Sequence, residues 1–212
     1  MRIFLTSLIL LFSFSFAFAQ HKSDVEVNKS SDNRPSIATF GVMGYGYIPL
    51  GVDKDLIGYG GGGGFKATVN FNRYFALGFS TALSGGSSNY GNTSNLTLLS
   101  DTRIAFILQR ETLRNQSGFV PWIGLGFGVM ASAGNYGTLK TEDMVGFNIS
   151  AMAGVRYNFR RAYVGIGAEY MFAALTGDLV SNDNYYYYYQ RRQTVNMDAS
   201  GVNIFGEIGF RF

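Results

Sequence analysis

Val202-Asn203-Ile204-Phe205-Gly206-Glu207-Ile208-Gly209-Phe210-Arg211-Phe212 decides the fold class of this chain. Val202, Ile204, Ile208, Phe210 and Phe212 share one parity, and Asn203, Glu207, Gly209 and Arg211 share the other. Strict alternation of this kind is the mark of a β-strand with two unlike faces. Both charged residues stand on the glycine parity, opposite the large apolar side chains.

The same pattern recurs upstream, over residues 65–71, 75–83, 98–108, 123–129, 145–155 and 164–172. A further strand is expected near residues 37–47, its inward parity left open, which brings the count to eight. The connections alternate in length. Residues 72–73 and 158–161 read as tight turns, and 109–118 as the longest link on that side. Residues 49–58, 84–95, 131–143 and 176–199 read as long loops on the other. Short turns on one side and long loops on the other are the pattern of a transmembrane barrel, with both termini on the short side.

The N-terminus reads as an address. Met1-Arg2, an apolar run and Ala17-Phe18-Ala19 make a secretory signal peptide, with cleavage expected after Ala19. Residues 20–36 are polar and aperiodic and read as a flexible lead-in, leaving 37–212 for the barrel. No later segment approaches the ~18 consecutive apolar residues of a membrane-spanning helix. A chain that spans a bilayer without such helices does so as a closed barrel.

Seven charges fall inside the strands: Lys66, Asp101, Arg103, Arg156, Glu169, Glu207 and Arg211. All share the parity of the glycines. A Lys or Arg facing lipid at mid-depth costs about 2–4 kcal/mol, so a bilayer demands this segregation. The competing architecture is a soluble barrel with its apolar face inward. Its water-facing side would then consist mainly of Gly, Ser and Asn, whereas such surfaces are usually roughly 25–35% charged. Charged residues make up only 15% of the chain, and aromatics gather at strand ends, as in Phe71, Tyr74 and Phe75. The expected fold is therefore all-β: an eight-stranded antiparallel up-and-down transmembrane β-barrel.

The last strand resembles the C-terminal signal that outer-membrane barrels present to their insertion machinery through a terminal aromatic, here Phe212. Pro121-Trp122-Ile123-Gly124-Leu125-Gly126-Phe127-Gly128 resembles the mid-barrel strand of the small outer-membrane β-barrel family, the OmpA-type and OmpX-type barrels. The resemblance covers residues 37–212 and concerns pattern. It implies an outer-membrane location in a Gram-negative-type cell, with outer-membrane lipid and lipopolysaccharide as surroundings. It carries no specific activity. With Phe212 ending the chain, no peptidoglycan-binding domain is expected to follow.

Lys66, Arg103, Glu169 and Glu207 are expected near one depth, pairing across a polar lumen because an unpaired buried charge is costly. A salt-bridged plug is preferred to an ion gate, since eight strands leave an interior that side chains nearly fill. Glu169 and Glu207 could neighbour each other as a carboxylate dyad on adjacent strands, but cations nearby favour an ion network.

Other motifs carry little chemistry. There is no Cys and one His, His21, in the polar lead-in without a rigid partner to make it a general base. No catalytic residue, metal ligand or cofactor is therefore expected. The net charge of +3 is too small and too scattered for nucleic-acid binding. Residues 58–63 match G-x-G-x-x-G, yet a strand follows where a dinucleotide site needs a helix. The acids of the long loops show no calcium-loop spacing. Lys54, Lys140, Arg191 and Arg192 are candidates for lipopolysaccharide phosphate.

The most unusual stretch is Tyr185, Tyr186, Tyr187, Tyr188 and Tyr189, followed closely by Arg191 and Arg192. Tyr and Arg dominate binding hot spots. One reading is a contact patch for a host surface, a matrix or a neighbouring envelope protein. The other is two strands prolonged beyond the bilayer, with Tyr at the interface belt. The functional expectation is non-enzymatic: envelope structure and adhesion-type contact through the outer loops. The alternative is a narrow pore or an OmpW-like transporter of small solutes. That resemblance implies an apolar lumen, which the strand charges oppose.

Overall fold

The computed structural model describes residues 35–53, 57–90, 93–136, 139–181 and 192–212. The signal peptide, His21, Lys54, the five tyrosines and Arg191 lie outside the described residues.

The described chain is all β. Its strands are β1 (Ala38–Pro49), β2 (Tyr59–Asn70), β3 (Phe75–Tyr90), β4 (Thr93–Gln109), β5 (Gly118–Tyr136), β6 (Leu139–Asn158), β7 (Ala162–Ser181), β8 (Arg192–Asp198) and β9 (Gly201–Arg211). Each of β1 to β7 pairs antiparallel with the next. β9 pairs with β7 on one side and β1 on the other, which closes the sheet into a barrel. β8 continues the line of β9 along the upper part of β7, from Ala174↔Asp198 to Val180↔Arg192. The nine segments therefore form eight staves, the eighth broken at Ala199-Ser200. That break is tied down: Tyr47 Oη donates to the Ala199 carbonyl at 2.8 Å, and Leu50 N–H donates to that of Ser200 at 2.9 Å.

Eight staves and alternating link lengths agree with the pattern in the chain, but the long side is different in kind. Residues 84–95 and 131–143 are strand almost throughout, and so is much of 176–199. β5, β6 and β7 run 19, 20 and 20 residues, where a tilted crossing takes about 9–11. What reads as loop is strand that prolongs the staves into longer hairpins. The sequence conceals this because Ser, Asn and Thr replace the apolar parity there, so the alternation vanishes while the ladder continues. Register shifts at Ser132/Gly134 and Thr141/Val145 fall in this upper region.

The first stave, whose parity the sequence leaves open, turns Thr39, Gly41, Met43, Tyr45 and Tyr47 inward and Phe40, Val42 and Ile48 outward. Pro35 bridges to Leu113, and the Ser36 carbonyl accepts Asn70 Nδ2 at 2.7 Å, so the chain is fastened before β1 begins. The glycine run lies within β2. Residues 60, 62 and 64 point inward, and a Cβ on Gly62 would stand 1.9 Å from the Leu83 carbonyl oxygen. Close approach of β2 and β3 is therefore the reason for glycine there.

The outer surface is apolar on every stave: Phe147 is 77% exposed, Phe119 72% and Ile166 66%. Trp122, on the opposite parity, is 4% exposed. Among the described residues no helix is long and apolar enough to cross a membrane.

Candidate functional site: the barrel interior

All seven strand charges point into the barrel and are buried. They form two groups at different depths.

In the middle, Lys66 Nζ lies 2.9 Å from Glu207 Oε2 and 4.2 Å from the centre of the Trp122 ring. Phe205 stacks against that tryptophan, and its own ring centre is 5.5 Å from the same ammonium. The ammonium thus has a carboxylate and two aromatic faces, which compensate its lost hydration. Arg103 bridges Asp101 and Glu169. Asn148 Nδ2 donates to Asp101 at 2.7 Å, and Asn203 Nδ2 to Glu169 at 3.2 Å. Gly126 and Gly128 of β5 make room: a Cβ on Gly128 would meet that of Arg103 at 2.6 Å.

The suspected carboxylate dyad does not form. Glu169 stands opposite Asn203 and Glu207 opposite Gly165, four residues apart along the β7–β9 ladder. Each carboxylate is engaged by its own cation.

At the end carrying the short turns, Arg156 and Arg211 converge on Glu111, which has no exposed surface. Asn158 Nδ2 donates to Glu111 at 2.6 Å, and Gln109 Oε1 accepts from Arg156 at 2.9 Å. Arg211 also donates to the backbone carbonyls of Phe159, Gln116, Thr112 and Leu113. The β4–β5 link thus folds across this end as a stopper. Glu111 is absent from the seven expected charges because it lies in a link and has no strand parity.

The opposite end is closed by apolar residues. Tyr47, Leu99, Met130, Met144, Met171, Leu175 and Met197 pack together inside the barrel, and Ile57 reaches into them from the β1–β2 connection. The expectation of a wholly polar lumen is therefore corrected: the interior is ionic in its middle and lower parts and apolar above. The strand parity itself carries this signal, since Met130 shares the parity of Gly128 and Met171 that of Glu169.

Between these layers lies a cavity of about 40 Å³ lined by Met43, Tyr45, Lys66, Arg103, Glu169 and Asn203 among others. That is room for a few water molecules and too little for an organic solute. Among the described residues no group of three His, Cys, Asp or Glu could hold a metal ion. Of the loop candidates, Arg192 opens β8, and the tyrosines and Arg191 lie outside the described residues.

No family model matches the chain, and no curated protein matches it by sequence. Solved structures do match in shape. The outer membrane protein OprG of Pseudomonas aeruginosa aligns with a TM-score of 0.60 at 12% identity, over 85% of this chain and 98% of that one. Neisserial surface protein A aligns with a TM-score of 0.57 at 11% identity, over 82% and 96%. The N-terminal β-barrel domain of Pseudomonas aeruginosa OprF aligns with a TM-score of 0.51 at 10% identity, over 84% and 100%. The chain has the fold of the small eight-stranded outer-membrane β-barrels.

Proposed function

We propose that this chain is a non-enzymatic outer-membrane barrel that stiffens the envelope and meets other surfaces through its extracellular hairpins, reaching that membrane by way of its signal peptide. The observation that carries the reading is the inverted distribution of side chains. An apolar belt surrounds a barrel whose charges are all paired inside, which is stable when lipid is the outer solvent and costly in water. Three stacked layers fill the interior, consistent with a rigid strut. The hairpins β5–β6 and β7–β8 project beyond the belt, and the Tyr and Arg residues of the second have the composition of a contact patch. Neisserial surface protein A, similar in fold, is named as a surface protein.

Each interior carboxylate is held by a cation, which supports a structural ion network over an acid–base pair. The terminal Phe212 is proposed as the contact for the insertion machinery, and the hairpin cations as contacts for lipopolysaccharide phosphate.

The test is binding of whole cells to host cells and to matrix-coated surfaces, with the wild-type chain beside a deletion of residues 185–189. Equal surface display with reduced binding is expected. Unchanged binding removes the contact role.

A second reading, a narrow pathway for small solutes, is favoured by one observation. The upper interior is rich in Met, a residue that repacks easily. Single-channel conductance in a planar bilayer separates the two. The strut reading expects silence from wild type and also from Glu207→Ala, because the Met layer above and the Glu111 layer below remain. A steady wild-type conductance would put the pathway first.

A further inference from the structure

We propose that the short-turn end of the barrel is a docking surface for the headgroups of anionic phospholipids, held by Arg73, Arg110, Arg114, Arg160 and Arg161. This rests on the reading of the chain as an outer-membrane barrel, in which that end meets the periplasmic leaflet.

All three links at this end carry arginine: Arg73 between β2 and β3, Arg110 and Arg114 between β4 and β5, Arg160 and Arg161 between β6 and β7. The one acid in these links, Glu111, is turned inward and taken up by Arg156 and Arg211. Among the charged side chains of these three links, only cations are therefore left facing outward. Arg110, Arg114, Arg160 and Arg161 are exposed and Arg73 is half-buried. Among the described residues none of the five forms an ion pair. Arg73 Nε donates only to the Glu111 backbone carbonyl, at 3.3 Å.

Their depth is set by the residues beside them. Phe71, Tyr74, Phe75, Phe119, Phe159 and Phe212 are exposed around the same end and form the aromatic ring that sits at headgroup level. The turns are firm: Asn72 Oδ1 accepts the N–H groups of Tyr74 and Phe75 at 2.7 and 2.9 Å, and Phe159 N–H donates to the Ala162 carbonyl at 2.7 Å. A ring of guanidinium groups is therefore presented just beyond the apolar belt. The guanidinium fork matches phosphate oxygens in pairs. At the opposite end Asp53, Asp178 and Asp198 are half-buried.

The test is electron spin resonance of the barrel reconstituted in phosphatidylcholine vesicles with a trace of spin-labelled phosphatidylglycerol or spin-labelled phosphatidylcholine. The immobilised fraction of each label gives relative association. Wild type is expected to favour phosphatidylglycerol about fivefold, the factor that one arginine near an anionic surface supplies, and less at high salt. Replacing all five arginines by Gln is expected to bring the ratio to about one. The triple variant Arg114→Gln/Arg160→Gln/Arg161→Gln, which spares the Arg73 hydrogen bond, is expected to fall between. No preference in wild type, or a preference unchanged in the five-site variant, overturns the proposal. A barrel that inserts and resists protease yet shows no preference loses only this inference. A chain that stays out of the vesicles loses the membrane reading as well.

Discussion

Removing the Glu111 carboxylate is the sharpest test of how this interior is held together. Glu111 is fully buried and faces two guanidinium groups, with Arg211 Nη2 at 3.0 Å and Arg156 closer still. Glu111→Ala strands both cations in a site that water does not reach. Breaking a buried pair by deleting one partner costs about 3–5 kcal/mol. Two features pull in opposite directions within that range. A second stranded cation raises the cost, while Arg211 keeps the Phe159 carbonyl at 2.6 Å and Arg156 keeps Gln109 Oε1 at 2.9 Å. A loss of about 4 kcal/mol follows. With a urea dependence of about 2–3 kcal/mol per molar, the unfolding midpoint in lipid vesicles drops by roughly 1.3–2 M. Glu111→Gln, which keeps an acceptor and loses the charge, should fall between. Exchanging Glu111, Arg156 and Arg211 together for apolar residues of similar volume should cost far less than Glu111→Ala, since no charge is left behind. The control is Arg114→Ala, an exposed cation of the same link. A midpoint for Glu111→Ala no lower than that control would refute the stopper.

Phe127 stands outward at mid-height between Ile104 and Ile149. Phe127→Arg should destabilise the vesicle-inserted barrel by about 2–4 kcal/mol; no change in unfolding free energy would mean that this face does not meet lipid. Gly62→Ala drives a methyl to 1.9 Å from the Leu83 carbonyl oxygen, whereas Gly46→Ala meets nothing within 4 Å. The first should lower the unfolding midpoint, and the second should leave it level or raise it by up to about 1 kcal/mol of stability. In the upper rim, hydrogen bonds from Ser200, and from Val52 N–H at 3.1 Å, hold the Asp198 carboxyl below its ordinary 3.8. A lowered folded value means that this contact stabilises the fold above pH 3.8 and is lost as pH falls through the lower value. The Val52 amide resonance should titrate with a midpoint under 3.8, and a midpoint at or above it would remove the contact from the account.

What was legible in the sequence depended on contrast between two faces. From residue 65 onward each stave sets Val, Ile, Leu or Phe against Gly, Ser, Asn or charge, and parity assigns inside and outside directly. In β1, Gly44 and Gly46 fall on the outward parity and Tyr45 and Tyr47 on the inward one. Composition there runs against the rule, and only the pairing with β2 and β9 decides. The projecting hairpins failed for a related reason. Above the bilayer both faces meet water, so the chain has no cause to alternate, and a strand held by its ladder alone looks like a loop.

The interior charges carried a clue of another kind. Parity finds four cations, Lys66, Arg103, Arg156 and Arg211, and three anions, Asp101, Glu169 and Glu207. A lumen closed to solvent cannot hold that excess without a counter-charge. The missing anion had to come from outside the strands, on a segment able to reach Arg156 and Arg211 near the short-turn end. Of the three links there, only residues 109–118 are long enough to fold back across the opening, and Glu111 is their only acid. Charge balance therefore identifies a residue that periodicity cannot. The same reasoning accounts for the rim: once Glu111 is spent on the lumen, the arginines beside it have no acid left in their own links.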